Sequence, residues 1–305
     1  MRVRASQRCG QCYNQGYYGG YSSAAERLTV AQDVVGSIPT SRPSPLSRSA
    51  SQVPATVSER TAQNPGSGVY VGCSGWAYPT WKPTFYPDKL PSKKFLEYYA
   101  TRLNSVEVNY TFRSFPRRTA IDSWLAQTGP GFRFSFKAPQ RITHFQRLQD
   151  CGPTLEAFAG AIQPVADAAR LGPVLFQLPP NFKADEGRLA QFLADAKPCR
   201  FRMAFEFRHG SWFDPAIYRI LERHEAALCV AESDDLETPD VATAPFTCYR
   251  RRKTEYNEAQ LAQIASNLKR HAERGDVFAY FKHEEEPMGA MWAVSVLSSV
   301  RGVAS

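Results

Sequence analysis

The chain has 305 residues, of which 43% are hydrophobic and 22% are charged, and it carries a formal net charge of +8. This length allows one large domain or two ordinary ones, and no apolar run approaches the roughly 20 residues that a membrane-spanning helix needs. Residues 1–66 hold seven Arg and three acidic residues, so half of the net charge lies there. The small charge left for the longer part argues against nucleic-acid binding by bulk electrostatic attraction.

Residues 1–66 differ from the rest of the chain, because they are rich in Ser, Gln, Gly, Arg and Pro and show no sustained hydrophobic periodicity. Such a segment buries too little apolar surface to offset the entropy that ordering costs. We therefore predict a disordered extension or a misassigned start, followed by one domain over residues 67–305. The Arg- and Ser-rich, acid-poor composition is also typical of an organellar targeting segment, which stays open as the alternative.

The seven cysteines are odd in number and scattered in spacing. This pattern predicts free thiols in a reducing, cytoplasmic setting rather than a disulfide framework. Cys73, Cys229 and Cys248 lie in apolar runs, where a thiol behaves as a small hydrophobic group. Cys9 and Cys12 have the spacing of a metal or redox pair, but neither a second pair nor a nearby His accompanies them, so we favour an unspecialised tail.

Eight short apolar runs, most of them bounded by polar or turn residues, predict buried strands of a parallel sheet. The runs are 69–73, 105–109, 132–137, 173–177, 203–207, 227–231, 246–249 and 277–281. Apolar residues at a spacing of three to four fall between most runs and predict helices. The helical stripes extend from Phe95 to Leu103, Ile121 to Leu125, Leu155 to Ala169, Leu189 to Leu193, Ile217 to Leu221, Leu261 to Leu268, and from Pro287 toward Val300. Residues 232–245 are too short and too acidic for a full helix.

Strands that alternate with helices predict a parallel sheet with helical crossovers. Eight such units in this length match a (β/α)₈ TIM barrel, slightly irregular at the unit without a full helix. The alternative is an open, doubly wound sheet. It is disfavoured because no glycine-rich phosphate-binding motif follows the first strand.

In a barrel of this kind, the chemistry lies at the carboxyl ends of the strands. Every predicted strand ends in hydrogen-bonding or ionisable groups, whereas the opposite ends are mostly apolar. The strand-end residues are Ser74, Glu107, Asn109, Lys137, Gln177, Glu206, Arg208, Glu232, Ser233, Tyr249, Arg250, Lys282 and His283. Buried charge costs several kcal/mol unless it is paired. The pattern therefore predicts a polar ligand pocket, and the alternative is a satisfied ring of ion pairs inside the barrel mouth.

The two carboxylates Glu107 and Glu206 are the best acid/base candidates, since paired carboxylates divide these roles when their surroundings separate their pKa values. A plain salt bridge from either one to Lys137 or Arg208 is the competing interpretation. Lys137 suits an anion clamp better than a nucleophilic amine. Arg208 and Arg250 suit bidentate binding of a carboxylate or phosphate.

Other groups complete the predicted ligand pocket. Asn109 and Gln177 would orient the ligand and the carboxylates, and Lys282 would add a further cation. Arg251 and Arg252 have the pattern of a solvated basic edge. His144, in the loop after the third strand, is either structural or a ligand contact. The sequence contains no pair of His residues at the spacing of zinc ligands, so no cofactor is predicted. A carboxylate site for Mg²⁺ or Mn²⁺ stays open.

An aromatic loop follows the first predicted strand. It contains Trp76, Tyr78, Trp81, Phe85 and Tyr86. These rings are suited to stacking on a sugar or base. They are equally suited to covering the barrel mouth as a small hydrophobic cap, so both interpretations stay open.

Several of these stretches together resemble the DUF72 family, also called YecE-like, of (β/α)₈-barrel proteins. The resemblance covers about residues 69–295. In the first half of the barrel it is carried by Val71-Gly-Cys-Ser-Gly-Trp-Ala-Tyr78, Phe85-Tyr-Pro87, Asn104-Ser-Val-Glu-Val-Asn-Tyr-Thr-Phe112, and Gly131-Phe-Arg-Phe-Ser-Phe-Lys-Ala-Pro139 with Arg141-Ile-Thr-His144. Further along the chain it is carried by Leu171-Gly-Pro-Val-Leu-Phe-Gln-Leu-Pro-Pro180, Phe205-Glu-Phe-Arg-His209 with Ser211-Trp-Phe213, and Tyr280-Phe-Lys-His-Glu284 with Gly289-Ala290. Tyr249-Arg-Arg-Arg252 keeps an expected Arg but lacks the Leu-His-Gly that follows it in many members. The resemblance implies the barrel and gives no reaction.

We expect an enzyme that binds a small anionic or polyhydroxylated ligand, such as a sugar or phosphorylated metabolite, at the barrel mouth. Hydrolysis or isomerisation by the carboxylate pair is the expected chemistry. Binding or phosphodiester processing of nucleic acid is one alternative, although shared fold alone is a weak argument for it. A non-catalytic ligand sensor or scaffold is the other. The sequence does not determine the oligomeric state.

Overall fold

The computed structural model describes residues 68–233, 237–282 and 286–302. The predicted extension over residues 1–66, with Cys9 and Cys12, lies outside the described residues. So does His283, together with the two residues that follow it.

Eight parallel strands form a closed barrel in which each strand pairs with its neighbours in chain order, from β1 to β8 and back to β1. The strands are β1 Val69–Cys73, β2 Ser105–Val108, β3 Arg133–Lys137, β4 Leu171–Gln177, β5 Met203–Glu206, β6 Ala227–Glu232, β7 Thr247–Arg251 and β8 Val277–Phe281. The predicted TIM barrel is confirmed, and the open doubly wound alternative is wrong because β1 and β8 pair along their full length.

Six helices lie between strands in the described part of the chain, and a seventh follows β8. They are α1 Phe95–Arg102, α2 Arg118–Gln127, α3 Gly152–Asp167, α4 Glu186–Ala196, α5 Pro215–Arg223, α6 Glu258–Ala272 and α7 Met288–Arg301. Side chains of Asp185, Asp214 and Asn257 cap α4, α5 and α6 by accepting backbone N–H groups of the first turn. No helix occurs between β6 and β7 in the described residues, as the sequence predicts.

Some strands of the structure begin or end a few residues away from the bounds of the predicted apolar runs. This is because backbone pairing does not depend on side-chain polarity. β4 begins at Leu171, which pairs with Phe134 of β3. β7 extends to Arg251, which pairs with both Glu232 and Phe281. Polar residues at the strand ends therefore belong to the sheet itself.

Alternate side chains of each strand point into the barrel. A separate apolar cluster fills the lumen below the mouth; it consists of Leu175, Ala204, Ala227, Cys229, Phe246, Cys248, Phe278 and Tyr280. The Tyr280 hydroxyl lies 2.8 Å from Ser105 Oγ and 2.6 Å from Ser135 Oγ. These hydrogen bonds form a polar layer between the apolar plug and the barrel mouth.

The outward-facing strand residues pack with the helices in a larger apolar cluster. Cys73 lies in this cluster, whereas Cys229 and Cys248 lie in the lumen, and all three are buried free thiols as predicted. Burial raises the pKa of the Cys229 thiol well above its ordinary value, so it stays protonated at neutral pH. In the described residues, no helix is both long enough and apolar enough to cross a membrane.

Candidate active site

Strands β2, β5 and β7 place two carboxylates and one arginine inside the barrel mouth. Arg250 donates from Nη2 to Glu107 Oε1 at 2.8 Å and from Nη1 to Glu206 Oε2. The three side chains are only 1–3% exposed. Because β7 adjoins neither β2 nor β5, the Arg250 side chain crosses the lumen. One guanidinium therefore joins the two predicted acid/base candidates, and its terminal nitrogens bind the protein's own carboxylates.

Glu206 is surrounded by cationic groups. Its Oε1 accepts from Arg208 Nε at 3.0 Å and Arg252 Nη1 at 3.2 Å, and from Gln177 Nε2 at 2.8 Å. Burial alone would raise the pKa of the Glu206 carboxyl, but the three arginines and the amide hold it well below its usual range. Glu206 therefore stays ionised at all physiological pH values and fixes the position of the arginines.

Arg208 and Arg252 differ from Arg250 in exposure. Their side chains are 30% and 18% exposed, against 3% for Arg250. Each has further N–H donors beyond the one that contacts Glu206. These two guanidinium groups are thus partly open to a molecule in the mouth.

Lys137 ends β3 and faces the same mouth. Its Nζ lies 4.2 Å from the centre of the Phe112 ring. In the described residues its ammonium makes neither an ion pair nor a hydrogen bond. Burial, together with the charge of Arg250, lowers the pKa of Lys137 to about 7, although Glu107 and Glu206 oppose the shift. Near neutral pH this lysine is present in both protonation states.

His144 also contacts Phe112. The two rings meet edge to face at 5.0 Å, and His144 Nδ1 lies 2.8 Å from Thr143 Oγ1. Burial, followed by the charges of Lys137 and Arg208, lowers the pKa of His144 to about 4. Its imidazole is therefore neutral at pH 7, and it lies beside the mouth rather than in a metal site.

Three of the nine unpaired buried polar atoms of the described residues belong to residues predicted for the mouth. Glu107 Oε2, Asn109 Oδ1 and Arg250 Nε are buried and have no hydrogen-bond partner. The other oxygen of Glu107 accepts from Ser74 Oγ at 2.8 Å. The pairs of Arg250 with Glu107 and Glu206 match the predicted alternative of an ion-pair ring inside the mouth, and the unpaired atoms beside them match the predicted ligand pocket, so both interpretations stay open.

The aromatic loop after β1 divides into two parts. Trp81, Phe85 and Tyr86 are almost fully buried, and Tyr86 stacks on Phe95 of α1 at 4.1 Å. These three rings belong to the outer core beside α1, so they are not available to stack on a ligand, and the expected cap over the mouth stays a prediction.

Trp76 and Tyr78 stay half-buried. The Trp76 ring packs edge to face on Trp124 of α2, and the Tyr78 hydroxyl donates to the Ser74 carbonyl oxygen at 2.9 Å. Gly75 has a φ of +106°, and a Cβ there would lie 2.5 Å from the Tyr78 hydroxyl oxygen. A glycine is thus required where this loop turns at the edge of the mouth.

Two of the predicted strand-end residues, Glu232 and Tyr249, face away from the lumen, which corrects the interpretation that they enter the mouth. Glu232 accepts from the Tyr256 hydroxyl at 2.8 Å and pairs with Arg251 at 3.0 Å. Tyr249 packs in the outer core beneath the Arg251 guanidinium. Consecutive side chains of a strand point to opposite faces. Because each of these residues is adjacent in sequence to an inward-facing residue, its own side chain points outward.

The solvated basic edge expected at Arg251 and Arg252 is also wrong. Arg251 is 7% exposed and forms the ion pair with Glu232, whereas Arg252 reaches Glu206. Sequence reasoning missed both Arg252 and Phe112 as mouth residues. The alternation of β7 would have identified Arg252, since it lies two residues after Arg250; nothing in the sequence identified Phe112.

Lys282 follows β8, with its backbone N–H donating to the Arg251 carbonyl oxygen at 2.9 Å, and its predicted contact with a ligand stays a prediction. Within residues 68–233, 237–282 and 286–302, no group of three or more His, Cys, Asp or Glu side chains could hold a metal ion.

Comparison with known families and curated proteins identifies similar sequences. A family model described as "Protein of unknown function DUF72" matches residues 70–302. The chain is 31% identical over 145 residues to the UPF0759 protein YecE of Escherichia coli K12, covering 48% of this chain and 50% of that protein. It is 30% identical over 159 residues to the UPF0759 protein YunF of Bacillus subtilis 168, covering 49% and 54%. The chain thus spans about half the length of the curated relatives it matches.

Solved structures show the same architecture. A DUF72 family protein from Thermotoga maritima superposes with a TM-score of 0.69 at 25% identity, covering 76% of this chain and 99% of that one. A DUF72 family protein from Enterococcus faecalis gives a TM-score of 0.61 at 17% identity, covering 77% and 98%. These likenesses support the barrel and its strand order.

Proposed function

The chain belongs to the DUF72 family, whose description gives no function, and we propose that it is an enzyme that binds a small organic anion in its barrel mouth. The observation that carries this proposal is the excess of positive charge around two buried carboxylates. Arg250 is held by both Glu107 and Glu206, and two further arginines meet Glu206 at the same oxygen.

The charges of the mouth do not cancel. Three arginines face two carboxylates, so the cluster is positive even when the amine of Lys137 is neutral. Arg208 and Arg252 have donors left over and are the more exposed of the three. A planar guanidinium binds carboxylate or phosphate through parallel hydrogen bonds. A ligand with such a group, for example a sugar phosphate or an organic acid, would neutralise the excess charge.

Proton transfer in the proposed reaction falls to Lys137 and Glu107 rather than to Glu206. A general acid or base works best when its pKa lies near the working pH, and the pKa of Lys137 is about 7. Glu107 keeps one buried oxygen without a partner, available to a ligand group. Glu206, locked in its ionised form, acts by holding Arg208 and Arg252. Hydrolysis or isomerisation of the bound anion remains the proposed reaction class.

The test is a binding panel on the full chain, measured by thermal shift and then by calorimetry. The panel contains inorganic phosphate, sugar phosphates, small carboxylic acids, neutral sugars and short DNA. A hydrogen bond to a charged group contributes about 1.5–3 kcal/mol, so Arg252→Gln should weaken binding about tenfold to hundredfold. Arg118→Gln, which removes the same charge from an exposed site on α2, is the matched control and should bind normally.

Equal affinity in the Arg252→Gln and Arg118→Gln variants would refute anion binding at this mouth. Preference for DNA, with affinity that falls steeply as salt rises, would favour the nucleic-acid alternative instead. A ligand that binds tightly and is recovered unchanged after long incubation would favour the sensor.

A further inference from the structure

We propose that Lys137 is a nucleophile that forms a covalent imine with a carbonyl carbon of the bound anion. The inference rests on the proposed function for the position of the anion, and it narrows the ligand class. The ligand would carry both an anionic group and an aldehyde or ketone, as in a small oxo acid or a ketose phosphate.

The register of β2 and β3 places the amine beside the catalytic carboxylate. Glu107 pairs with Ser135, and Lys137 lies two residues further along the same face of β3. β2 ends at Val108, and the short turn that follows it carries Phe112, whose ring lies against the Lys137 amine. The Lys137 side chain therefore enters the lumen just above Glu107, on the side toward solvent.

The surroundings of the amine favour attack over charge pairing. Buried charges are usually paired, but in the described residues the Lys137 ammonium has no carboxylate within ion-pair distance. Its Nζ instead lies over the Phe112 ring. When the amine is neutral, no hydrogen bond from the described protein occupies its lone pair. Arg208 and Arg252, gathered on Glu206, would hold the anionic end of the ligand within the same mouth.

The protonation equilibrium of Lys137 also agrees with a role as nucleophile. With a pKa of about 7, roughly half of the Lys137 amines are neutral at pH 7, against on the order of one in a thousand for a solvated lysine. Lysines activated in this way by desolvation and neighbouring cations form Schiff bases with carbonyl substrates. The cations here are Arg250 and Arg208.

The proposed step balances without another reactant. The amine nitrogen attacks the carbonyl carbon and forms a C–N bond, and the carbonyl oxygen takes up protons and leaves as water. Starting from the ammonium form, a carbonyl and a protonated lysine give a protonated imine and one water molecule. The positively charged imine then withdraws electrons from the adjacent carbon, which eases loss of a proton in an isomerisation.

Reductive trapping tests the proposal on the full chain. The protein is incubated with glyoxylate at pH 7 in the presence of borohydride, and the modified residue is identified by peptide mass mapping. We expect the label at Lys137 in wild type and in Lys89→Arg, a control at an exposed lysine, and its loss in Lys137→Arg. Thermal unfolding of Lys137→Arg shows whether that variant is folded, and Lys137→Met serves as a second variant. Label that stays on exposed lysines only, in folded wild type, would overturn the imine.

A second comparison separates this inference from the proposed function. Acetaldehyde offers the carbonyl without the anionic group. If Arg252→Gln reduces glyoxylate labelling about tenfold to hundredfold and leaves acetaldehyde labelling unchanged, both proposals are supported. If Lys137 is labelled by either probe regardless of Arg252, the imine stands and anion binding fails. If glyoxylate binds in an Arg252-dependent way but never labels Lys137, anion binding stands and the imine fails.

Discussion

Replacing Lys137 with Met should change how the free energy of unfolding depends on pH. The pKa of this lysine is lowered from its ordinary value of 10.5 to about 7 in the folded protein. Between these two values the unfolded chain keeps the lysine proton and the folded protein has released it. Because stability rises with pH wherever the unfolded state binds more protons, wild type should become more stable as pH rises through this range.

The magnitude follows from the shift. One pKa unit corresponds to about 1.4 kcal/mol, so the free energy of unfolding should rise by nearly that amount per pH unit above the folded pKa. Between pH 7 and pH 9 the rise amounts to about 2 kcal/mol, since half of the folded Lys137 is still protonated at pH 7. Lys137→Met removes this contribution. The stability of the variant relative to wild type should therefore be greater at pH 7 than at pH 9.

Urea unfolding at pH 7 and pH 9 measures the effect as a difference between wild type and variant. Other titrating groups cancel in that difference, and Lys89→Met provides the control because Lys89 is exposed and meets water in both states. The Lys137→Met difference should change by about 2 kcal/mol between the two pH values, and the Lys89→Met difference should not change. Equal Lys137→Met differences at both pH values would refute the buried, weakly basic amine.

Two further predictions concern the contributions that the ion pairs of the mouth and the contact between β1 and β2 make to stability. Arg250→Met leaves the buried Glu107 without a cationic partner, whereas Glu206 keeps Arg208 and Arg252, and it should cost about 3–5 kcal/mol in urea unfolding; the double variant that adds Glu107→Gln should recover much of that loss, and no recovery would show that charge is not the cause. Gly72→Ala places a Cβ 1.8 Å from a backbone oxygen of β2 and should lower the free energy of unfolding by about 1–3 kcal/mol. Gly160→Ala is the control; this glycine lies on α3 with open space around its Cα, so the substitution should be neutral or stabilising. Equal effects of the two substitutions would contradict the close approach of β1 and β2.

The fold was predictable because its signal is repeated along the chain. All eight strands lie within a few residues of the apolar runs, and each helix follows from its own stripe of apolar residues. Local errors, such as the later end of β7, do not alter the strand order. The gathering of polar residues at one end also followed from the chain direction of parallel strands.

The internal pairing of the site was not predictable, because it depends on which faces meet across the lumen. Glu232 and Arg250 both lie at or next to the carboxyl end of a strand, yet Glu232 points outward and Arg250 inward. The sequence offers no signal that Arg250 would bridge two carboxylates on strands it does not adjoin. Without that contact, Glu206 resembles an acid/base residue, and with it Glu206 becomes a fixed anion and Lys137 the better proton carrier.

Stability alone does not explain the charges of the mouth. The lower lumen of the same barrel is filled by apolar side chains, so the fold can close without buried ions. Buried ion pairs are often no better for stability than well-packed hydrophobic residues of similar volume, and this cluster also leaves Glu107 Oε2 and Arg250 Nε without partners. An unpaired lysine beside them adds a further cost. These features are costly in the protein by itself and useful when a ligand enters, because an anionic group would supply negative charge and acceptors for the arginines, and a ligand hydroxyl would supply a donor for Glu107 Oε2.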